Sequence, residues 1–284
     1  MDNSVRALVE TLLPGTDLSR ARVEEGGQFH RVVLLPDRAV VRIARTAQAA
    51  AELPRRTELL RRLARAGLPF AVPEPLGEVA VVDGLTGVAL SRLPGAPAAK
   101  GSGDPDRLAG VLRALAEVDV RDLADVLAEP HAFAGGAQWP TLMLDGVVPL
   151  LPRERQAEAR ARIEAVLDLP PVPPSLVHGD LAGANLHWHP DGSLAGVLDW
   201  DFAQPFDQAL DAACLAWFGW AALRAATIPE TFARAISWYR VFGLEQIAVR
   251  LLQRSPADEL QRVVGRTVAW LDHSARMSAQ AVDA

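Results

Sequence analysis

Three oxygen-bearing side chains stand at the ends of apolar segments in the second half of the sequence. Asp180 and Asn185 precede a short hairpin pattern that turns at residues 190–192, and Asp199 follows it. Because a hairpin brings its open ends together, we expect Asn185 and Asp199 to lie close to each other, with Asp180 on the entering loop. Buried carboxylates are costly unless they are paired or bind a metal. Amide and carboxylate oxygens are ligands that Mg²⁺ prefers, usually beside phosphate oxygens, so the pattern predicts a magnesium site.

Each of these three residues alone is more commonly a turn or cap residue, and that interpretation is the alternative. The combination is more specific than its members. His178-Gly179 comes directly before Asp180, and an apolar strand pattern leads into Asp199. This arrangement favours the metal site over three unrelated turns.

Composition and charge narrow the class of protein. The chain of 284 residues is half apolar and 23% charged, as globular proteins are. A net charge of −6 makes nucleic acid an unexpected partner and is compatible with a small cationic substrate. The single cysteine, Cys214, excludes an internal disulfide and a cysteine zinc site. No signal-peptide pattern and no apolar run of roughly 20 residues occurs, so we expect a cytoplasmic protein that does not bind a membrane.

The sequence divides into a β-rich first third and a helical remainder. Residues 22–45 predict three short strands and residues 77–93 a hairpin, and a segment rich in Pro, Gly, Ala and Ser follows. We predict a two-lobed α+β protein: a small antiparallel-sheet lobe over 1–93 with one main helix, a linker over 94–105 and a helical lobe over 106–284. Helices are predicted at 4–13, 54–66 (with Pro54 in the first turn), 106–118, 152–167, 207–226, 230–241 and 256–280.

Two motifs carry a family resemblance. The segment "HGDLAGAN", from His178 to Asn185, resembles the catalytic loop of aminoglycoside phosphotransferase and choline kinase-like enzymes, which are relatives of the protein kinases. The segment "GVLDWD", which contains Asp199, resembles their metal-binding strand end. The resemblance implies a two-lobed protein kinase-like fold and an enzyme that transfers a phosphoryl group from ATP or GTP to a hydroxyl of a small molecule.

The same resemblance implies roles for individual residues. Asp180 would be the catalytic base, and Asn185 and Asp199 would hold Mg²⁺ against the nucleotide phosphates. His178 would brace the loop through hydrogen bonds, and Asp211 would accept hydrogen bonds from the loop amides without taking part in the chemistry.

The first third should then hold the nucleotide. Gly26 and Gly27 occupy the place of the phosphate loop, although a pair of glycines between strands is commonly just a turn. Arg42 occupies the strand position where protein kinases carry lysine, and would contact the phosphates; the alternative is a solvent-facing arginine. The family pairs this cation with a helix glutamate, but Arg56 stands in that register. Two glutamates of the predicted helix region are candidates, and the sequence does not distinguish them, so the partner of Arg42 is Glu52, Glu58 or neither.

The start of the predicted linker resembles the hinge that binds the nucleotide base. The resemblance implies that the adenine would hydrogen-bond to the backbone between Ser91 and Leu93. Backbone contacts leave no mark on side-chain identity, so this expectation comes from the resemblance alone.

A resemblance to one subgroup of the family predicts the acceptor substrate. The first lobe, including His30 where many members of the family have Asn, is most similar to viomycin and capreomycin phosphotransferases, which modify cationic cyclic peptide antibiotics. Asp201 and Asp207 would offer negative charge to such a substrate; the alternative is a solvated turn and a helix cap. Trp200 would contribute to an aromatic wall, although tryptophans more often pack in a core. The other candidates for this wall are Trp139, Trp217 and Trp220.

The sequence therefore favours an ATP-dependent O-phosphotransferase acting on a small cationic antibiotic, best a tuberactinomycin-type cyclic peptide, and conferring resistance to it. Alternatives in the same class are an aminoglycoside or macrolide kinase and a metabolic kinase for choline, homoserine or a sugar. A nucleotide-binding pseudokinase and a metal-dependent hydrolase are alternatives from other classes.

Overall fold

The structure is a computed structural model that describes residues 1–26, 29–36 and 39–283. The helices are α1 Asn3–Leu12, α2 Ala47–Leu63, α3 Pro105–Ala116, α4 Trp139–Thr141, α5 Arg153–Leu167, α6 Ala209–Leu215, α7 Trp220–Ala226, α8 Pro229–Tyr239, α9 Phe242–Leu252 and α10 Ala257–Asp283. The strands are β1 Arg22–Glu24, β2 His30–Leu34, β3 Ala39–Ala44, β4 Ala80–Val82, β5 Leu85–Ser91, β6 Ala96–Pro97, β7 Ser175–Val177, β8 Leu186–Trp188, β9 Leu194–Val197 and β10 Gln204–Phe206.

The chain forms two compact units, and neither is continuous in sequence. The first unit contains Met1–Pro97, Leu123–Leu127 and Ala184–Trp200. The second unit contains Ala98–Asp122, Ala128–Gly183 and Asp201–Ala284. The first unit therefore includes a hairpin that the chain supplies almost ninety residues after the rest of its sheet.

The first unit is built on an antiparallel sheet with strand order β1-β2-β3-β5-β4. Along β3, buried and half-buried residues alternate, as expected for a strand with a different environment on each face. Val41 and Ile43 lie in the core, where they pack with Val5 and Leu8 of helix α1. Arg42 lies between them in sequence, so its side chain leaves from the opposite face of the sheet.

Helix α2 differs from its predicted extent. It begins at Ala47 rather than at Pro54, and the Thr46 side chain caps it by accepting a hydrogen bond from the Ala49 N–H at 3.1 Å. The alanine-rich segment after Thr46 favours a helix strongly enough to include Pro54, which lies on the exposed side. The prediction that Pro54 occupies the first turn was wrong, and Glu52 lies within the helix.

The hairpin of β8 and β9 belongs to the first unit through several contacts. β6, inside the segment predicted as the linker, pairs with β8, and Ala71 forms a bridge with Gly196 of β9. A Cβ atom at position 196 would lie 2.6 Å from Leu93 Cδ1, so glycine lets Leu93 pack directly on this strand. The hairpin turns at residues 190–192 as predicted, where the His189 C=O accepts from the Gly192 N–H.

The second unit is mainly helical. β7 and β10 form a short antiparallel pair, α6 packs on α8, and α9 packs on α10. The sequence analysis missed α9, which only Arg240 and Val241 separate from α8. The helix predicted at 207–226 is interrupted at Gly219, which has a φ of +114°.

These elements confirm the predicted α+β class, with an antiparallel sheet in the first unit and helices in the second. No helix in the part of the chain that the structure describes has the length and apolar character needed to cross a bilayer. The boundaries predicted for the linker, at 94 and 105, stay a prediction.

Candidate active site

The loop that follows β7 is held in place by one buried carboxylate. Asp211 on α6 accepts hydrogen bonds from the His178 N–H at 2.7 Å and from the Gly179 N–H at 3.0 Å. Gly179 has a φ of +83°, and a Cβ atom there would lie 2.7 Å from the Phe202 C=O oxygen. Glycine is required at this position because both the backbone conformation and the close approach exclude a side chain.

His178 fixes the next residue of the loop. Its ring is buried, and Nδ1 accepts a hydrogen bond from the Asp180 N–H at 3.2 Å. Nδ1 must be unprotonated to accept, so the ring is neutral with its proton on Nε2. The backbone that carries Asp180 is thus held from both sides, by Asp211 and by His178, before any ligand binds.

Burial shifts the acid–base properties of the groups behind the loop. It raises the pKa of Asp211 to about 7; the two backbone N–H groups oppose this rise, and the nearby charge of Asp180 adds to it. The pKa of the Cys214 thiol lies well above its usual value, first because of burial and then because of Asp211 and Asp180. Cys214 is therefore a structural thiol rather than a nucleophile.

Asn185 and Asp199 lie at the same end of the hairpin. Leu186 pairs with Val197, and the Asn185 C=O accepts from the Leu198 N–H at 2.8 Å. Asp199 follows directly, with a φ of +58° that is uncommon for a residue other than glycine. Its side chain is 52% exposed. Backbone of this kind occurs in turns and also at ligand sites, where it directs a side chain.

This arrangement fits a divalent cation that also binds phosphate. Among residues 1–26, 29–36 and 39–283, no group of three or more His, Cys, Asp or Glu side chains could hold a metal ion by itself. An amide oxygen and one exposed carboxylate at a hairpin end match the usual Mg²⁺ arrangement, in which one or two protein ligands leave positions for water and phosphate.

Arg42 lies against Asp199 within the first unit. Its Nη2 atom is 3.2 Å from Asp199 Oδ1 and 2.8 Å from His30 Nδ1, and its side chain is only 13% exposed. Since Nη2 donates to His30 Nδ1, the His30 ring must accept there, as a neutral imidazole does. The sequence analysis missed the chain from His30 through Arg42 to Asp199, because nothing local indicates a partner 157 residues away.

The two glutamates considered as partners of Arg42 form other ion pairs. Glu52 binds Arg55 at 2.5 Å. Glu58 binds Arg61 and Arg62 at 3.5 and 3.1 Å. Arg42 does contact the carboxylate of Asp199 in this unit, a partner that the sequence analysis did not name.

The glycine segment after β1 is held by a second group of charges. Glu25 binds Arg31 at 2.8 Å and Arg45 at 2.6 Å, which ties the start of the segment to β2 and to the end of β3. Apart from its chain neighbours, no atom of the described residues lies within 4 Å of the position that a Cβ at Gly26 would take, so no described contact requires glycine there. Gly27 lies outside the described residues.

The predicted hinge residues differ in their backbone groups. The Ser91 N–H donates to the Glu74 C=O at 2.8 Å, and the Ser91 hydroxyl accepts from the Glu74 N–H at 2.8 Å. The Leu93 backbone forms no hydrogen bond with another residue in the described parts of the chain. Leu93 therefore has an N–H and a C=O available for a ligand, whereas the N–H of Ser91 is already used.

The residues predicted to bind substrate are largely enclosed. Asp207 binds Arg234 at 2.7 Å, accepts from the Trp238 indole N–H at 3.2 Å, and caps α6 by accepting from the Ala209 N–H at 2.9 Å. These contacts favour the cap alternative for Asp207. Trp200 is buried and donates to the Val197 C=O at 2.9 Å, and Asp201 is also buried.

Comparison with known proteins adds the family. The model of the phosphotransferase enzyme family matches residues 19–249. A viomycin phosphotransferase from Streptomyces vinaceus is 35% identical, over 74% of this chain and 77% of that protein. The matched region includes the loop around Asp180 and the hairpin that ends at Asp199.

Solved structures agree on the fold. The GDP complex of wild-type aminoglycoside 2'-phosphotransferase-IIIa has a TM-score of 0.80 and 18% identity, over 98% of this chain and 99% of that one. The macrolide 2'-phosphotransferase of Brachybacterium faecium has a TM-score of 0.71 and 22% identity, over 93% and 97%. These likenesses confirm the predicted kinase-like fold. By its sequence match over most of its length, the chain belongs to the phosphotransferase enzyme family.

Proposed function

We propose that this phosphotransferase transfers the γ-phosphoryl group of ATP or GTP to a hydroxyl of a small cationic antibiotic, best a tuberactinomycin-type cyclic peptide such as viomycin or capreomycin. The observation that carries the proposal is the loop around Asp180, which Asp211 and His178 hold before a ligand binds. The relative named viomycin phosphotransferase supports the choice of acceptor. Modification of the antibiotic would confer resistance to it.

Asp180 is the proposed catalytic base. Phosphoryl transfer asks a protein mainly for alignment and for neutralisation of charge, and a base that orients the acceptor hydroxyl can take its proton late in the reaction. The two hydrogen bonds to Asp211 and the one to His178 restrict the backbone that carries Asp180. Such restriction supports catalysis because a positioned base loses little freedom when the acceptor binds.

Asn185 and Asp199 are the proposed holders of Mg²⁺. When bound, this ion would neutralise charge on the transferred phosphoryl group. Arg42 would contribute a further positive charge toward the nucleotide phosphates, and His30 would keep its guanidinium group in one orientation. Arg42 compensates the charge of Asp199, which would be able to exchange this partner because half of its side chain is exposed.

The rest of the proposed nucleotide site is backbone. The Leu93 N–H and C=O would recognise the base, which is supported by their having no hydrogen-bond partner among the described residues. Gly26 would let the backbone approach the phosphates, because no contact with a described residue beyond its chain neighbours explains a glycine there. Ser91 would contribute through its position next to the base rather than through its N–H.

The test is release of the nucleoside diphosphate by purified protein with a panel of acceptors: viomycin, capreomycin, kanamycin, erythromycin and choline. We expect viomycin or capreomycin to stimulate release and to gain one phosphoryl group by mass spectrometry. Asp180→Asn, which keeps the size of the side chain and loses the base, is the matched control and should be inactive although folded. Stimulation by kanamycin, erythromycin or choline alone would assign the corresponding alternative, and stimulation by none would refute the proposal.

A further inference from the structure

Trp217 differs from the other tryptophans of the second unit that pack in its core. Trp139, Trp220 and Trp238 are buried, whereas the side chain of Trp217 is 42% exposed. It lies in a single 3₁₀ turn between α6 and α7, and its C=O accepts from the Gly101 N–H at 3.0 Å. Exposure of a large aromatic ring in a turn that is held by its backbone is typical of a binding surface rather than of a core.

The indole of Trp217 lies on the loop that carries Asp180. A Cβ atom at Gly183 would be 2.1 Å from Trp217 Nε1 and 2.3 Å from Cδ1. Only a glycine at position 183 permits this contact, because any side chain would occupy the place of the indole. Trp217 therefore rests directly on the backbone three residues beyond Asp180.

The ring of Trp217 already has a cation over it. Lys100 Nζ lies 5.5 Å from the ring centroid, within the range of a cation–π interaction. Lys100 is exposed and belongs to the turn that binds the Trp217 backbone. The contact indicates that the ring can accept a positive charge from the solvent side in the free protein.

We propose that Trp217 binds the acceptor, and that an ammonium or guanidinium group of the acceptor takes the place of Lys100 over the indole ring. The inference rests on the proposed function and names the residue that would recognise the charge of the substrate. It also accounts for the glycine inside the loop: Gly183 brings the aromatic platform next to the residue proposed to receive the hydroxyl proton. Trp217 would thus select cationic acceptors, which the enclosed Asp207 is poorly placed to do.

Steady-state kinetics with the best acceptor of the panel tests the proposal. Trp217→Leu is expected to raise the acceptor KM at least about tenfold, because loss of a desolvated cation–π contact weakens binding by about a factor of ten. The nucleotide KM should change less than about twofold. Trp217→Phe should retain most of the affinity. Lys100→Met should lower the acceptor KM because it removes the competing cation. Ile228→Ala, another exposed side chain of the second unit, is the control and should change neither constant.

Gly183→Ala provides an independent variant that leaves the tryptophan in the sequence. Its methyl group displaces the indole, so the acceptor KM should rise, and the double variant Gly183→Ala/Trp217→Leu should be no worse than Trp217→Leu alone. An unchanged acceptor KM in Trp217→Leu overturns the proposal for Trp217. If the unmutated protein still turns over the acceptor in that case, the proposed function itself stands. Equal losses in acceptor and nucleotide KM, or a higher KM in Lys100→Met, would also overturn it.

A binding measurement with viomycin, made without turnover, separates the role of Trp217 in binding from the proposed phosphoryl transfer. In equilibrium dialysis, the parent should bind viomycin and Trp217→Leu should bind at least about tenfold more weakly. Binding by the parent without turnover would refute phosphoryl transfer to viomycin and retain Trp217 as a binding residue. Equal binding by parent and variant, or none by the parent, counts against Trp217.

Discussion

Two aspartate–arginine pairs, one in each unit, have the same chemistry and opposite surroundings. Asp199 and Arg42 approach to 3.2 Å, and the Asp199 side chain is 52% exposed. Asp207 and Arg234 approach to 2.7 Å, and their side chains are 11% and 9% exposed. The first pair is open to solvent on its Asp199 side only, because the Arg42 side chain is 13% exposed, while the second is covered on both sides and further supported by the Trp238 indole.

The difference indicates which aspartate can change partners. A buried pair is stabilised only while both charges are present, because removing one leaves the other desolvated. A carboxylate that is half exposed keeps much of its hydration and can pass to another cation at smaller cost. The sequence analysis assigned Asp199 to a metal ion and Asp207 to a cationic substrate; their surroundings make Asp199 suited to an exchangeable ion and Asp207 suited to holding α6 and α8.

Of the variants that test this comparison, the largest loss of turnover should come from removing the carboxylate of Asp199. Asp199→Ala is expected to lower turnover by about 1,000-fold, the upper end for losing one stabilising group at a reaction centre. The midpoint of thermal unfolding should shift less than in Asp207→Ala, because Asp199 is half exposed and Arg42 keeps its hydrogen bond to His30. Turnover, Mg²⁺-dependent nucleotide binding and thermal melts are the measurements. Unchanged nucleotide affinity at saturating Mg²⁺ would refute the metal role of Asp199.

The buried pair should respond in the opposite way. Asp207→Ala is expected to lower the free energy of unfolding by about 3 kcal/mol, because it leaves Arg234 buried without its carboxylate. Asp207→Ala/Arg234→Met should recover part of this loss, which denaturant titration can measure. The acceptor KM of the folded variant should stay near that of the parent. A raised acceptor KM with full stability would instead assign Asp207 to the substrate site.

A smaller effect on catalysis should follow from a substitution that keeps Arg42 but removes a hydrogen-bond acceptor of its guanidinium group. His30→Ala deletes an acceptor of the Arg42 guanidinium, so we expect the nucleotide KM to rise about tenfold, the loss of about one charge-assisted hydrogen bond. His30→Asn should restore part of the affinity, because an amide oxygen can accept the same bond. Kinetics with varied nucleotide and fixed acceptor are the measurement. A rise in acceptor KM of equal size would contradict the positioning role.

Asp211 is a third carboxylate to compare, and it accepts hydrogen bonds from backbone N–H groups. Burial raises its pKa to about 7, above the value of about 4 in the unfolded chain, so its contribution to stability is complete below about pH 4 and is lost as the pH rises through about 7. We expect the free energy of unfolding to fall by about 1 kcal/mol between pH 6 and pH 8. Asp211→Asn should be less stable but lack this decline, and an equal decline in both proteins would contradict the shift.

The parts of the site that were predicted share a local cause. The spacing from His178 to Asn185 and the turn at 190–192 are short-range patterns, and a hairpin determines where its own ends lie. The conformation of Asp199 and the contact of Arg42 with it depend on residues far along the chain. Their partners could not be read from periodicity, which reports only the faces of single elements.

The errors in the fold have similar origins. Pro54 was placed at a helix start because proline is common there, but the alanines after Thr46 and the packing of α2 outweigh that preference. Only Arg240 and Val241 separate α9 from α8, so no long turn segment in the sequence marks where α9 begins. Trp217 and Trp220 have helical spacing, and only the break at Gly219 separates an exposed ring from a buried one.

The late arrival of the β8–β9 hairpin in the first unit has a consequence for synthesis. A ribosome that has released residues 1–97 has not yet made the strands that pair with β6 and cover Leu93. The five-stranded sheet is complete at that point, but the three-stranded sheet of the same unit must wait while about ninety more residues are translated, and contacts between such distant segments form slowly. A fragment that ends at residue 97 would therefore leave β6 without its partner strand and Leu93 without the cover of β9.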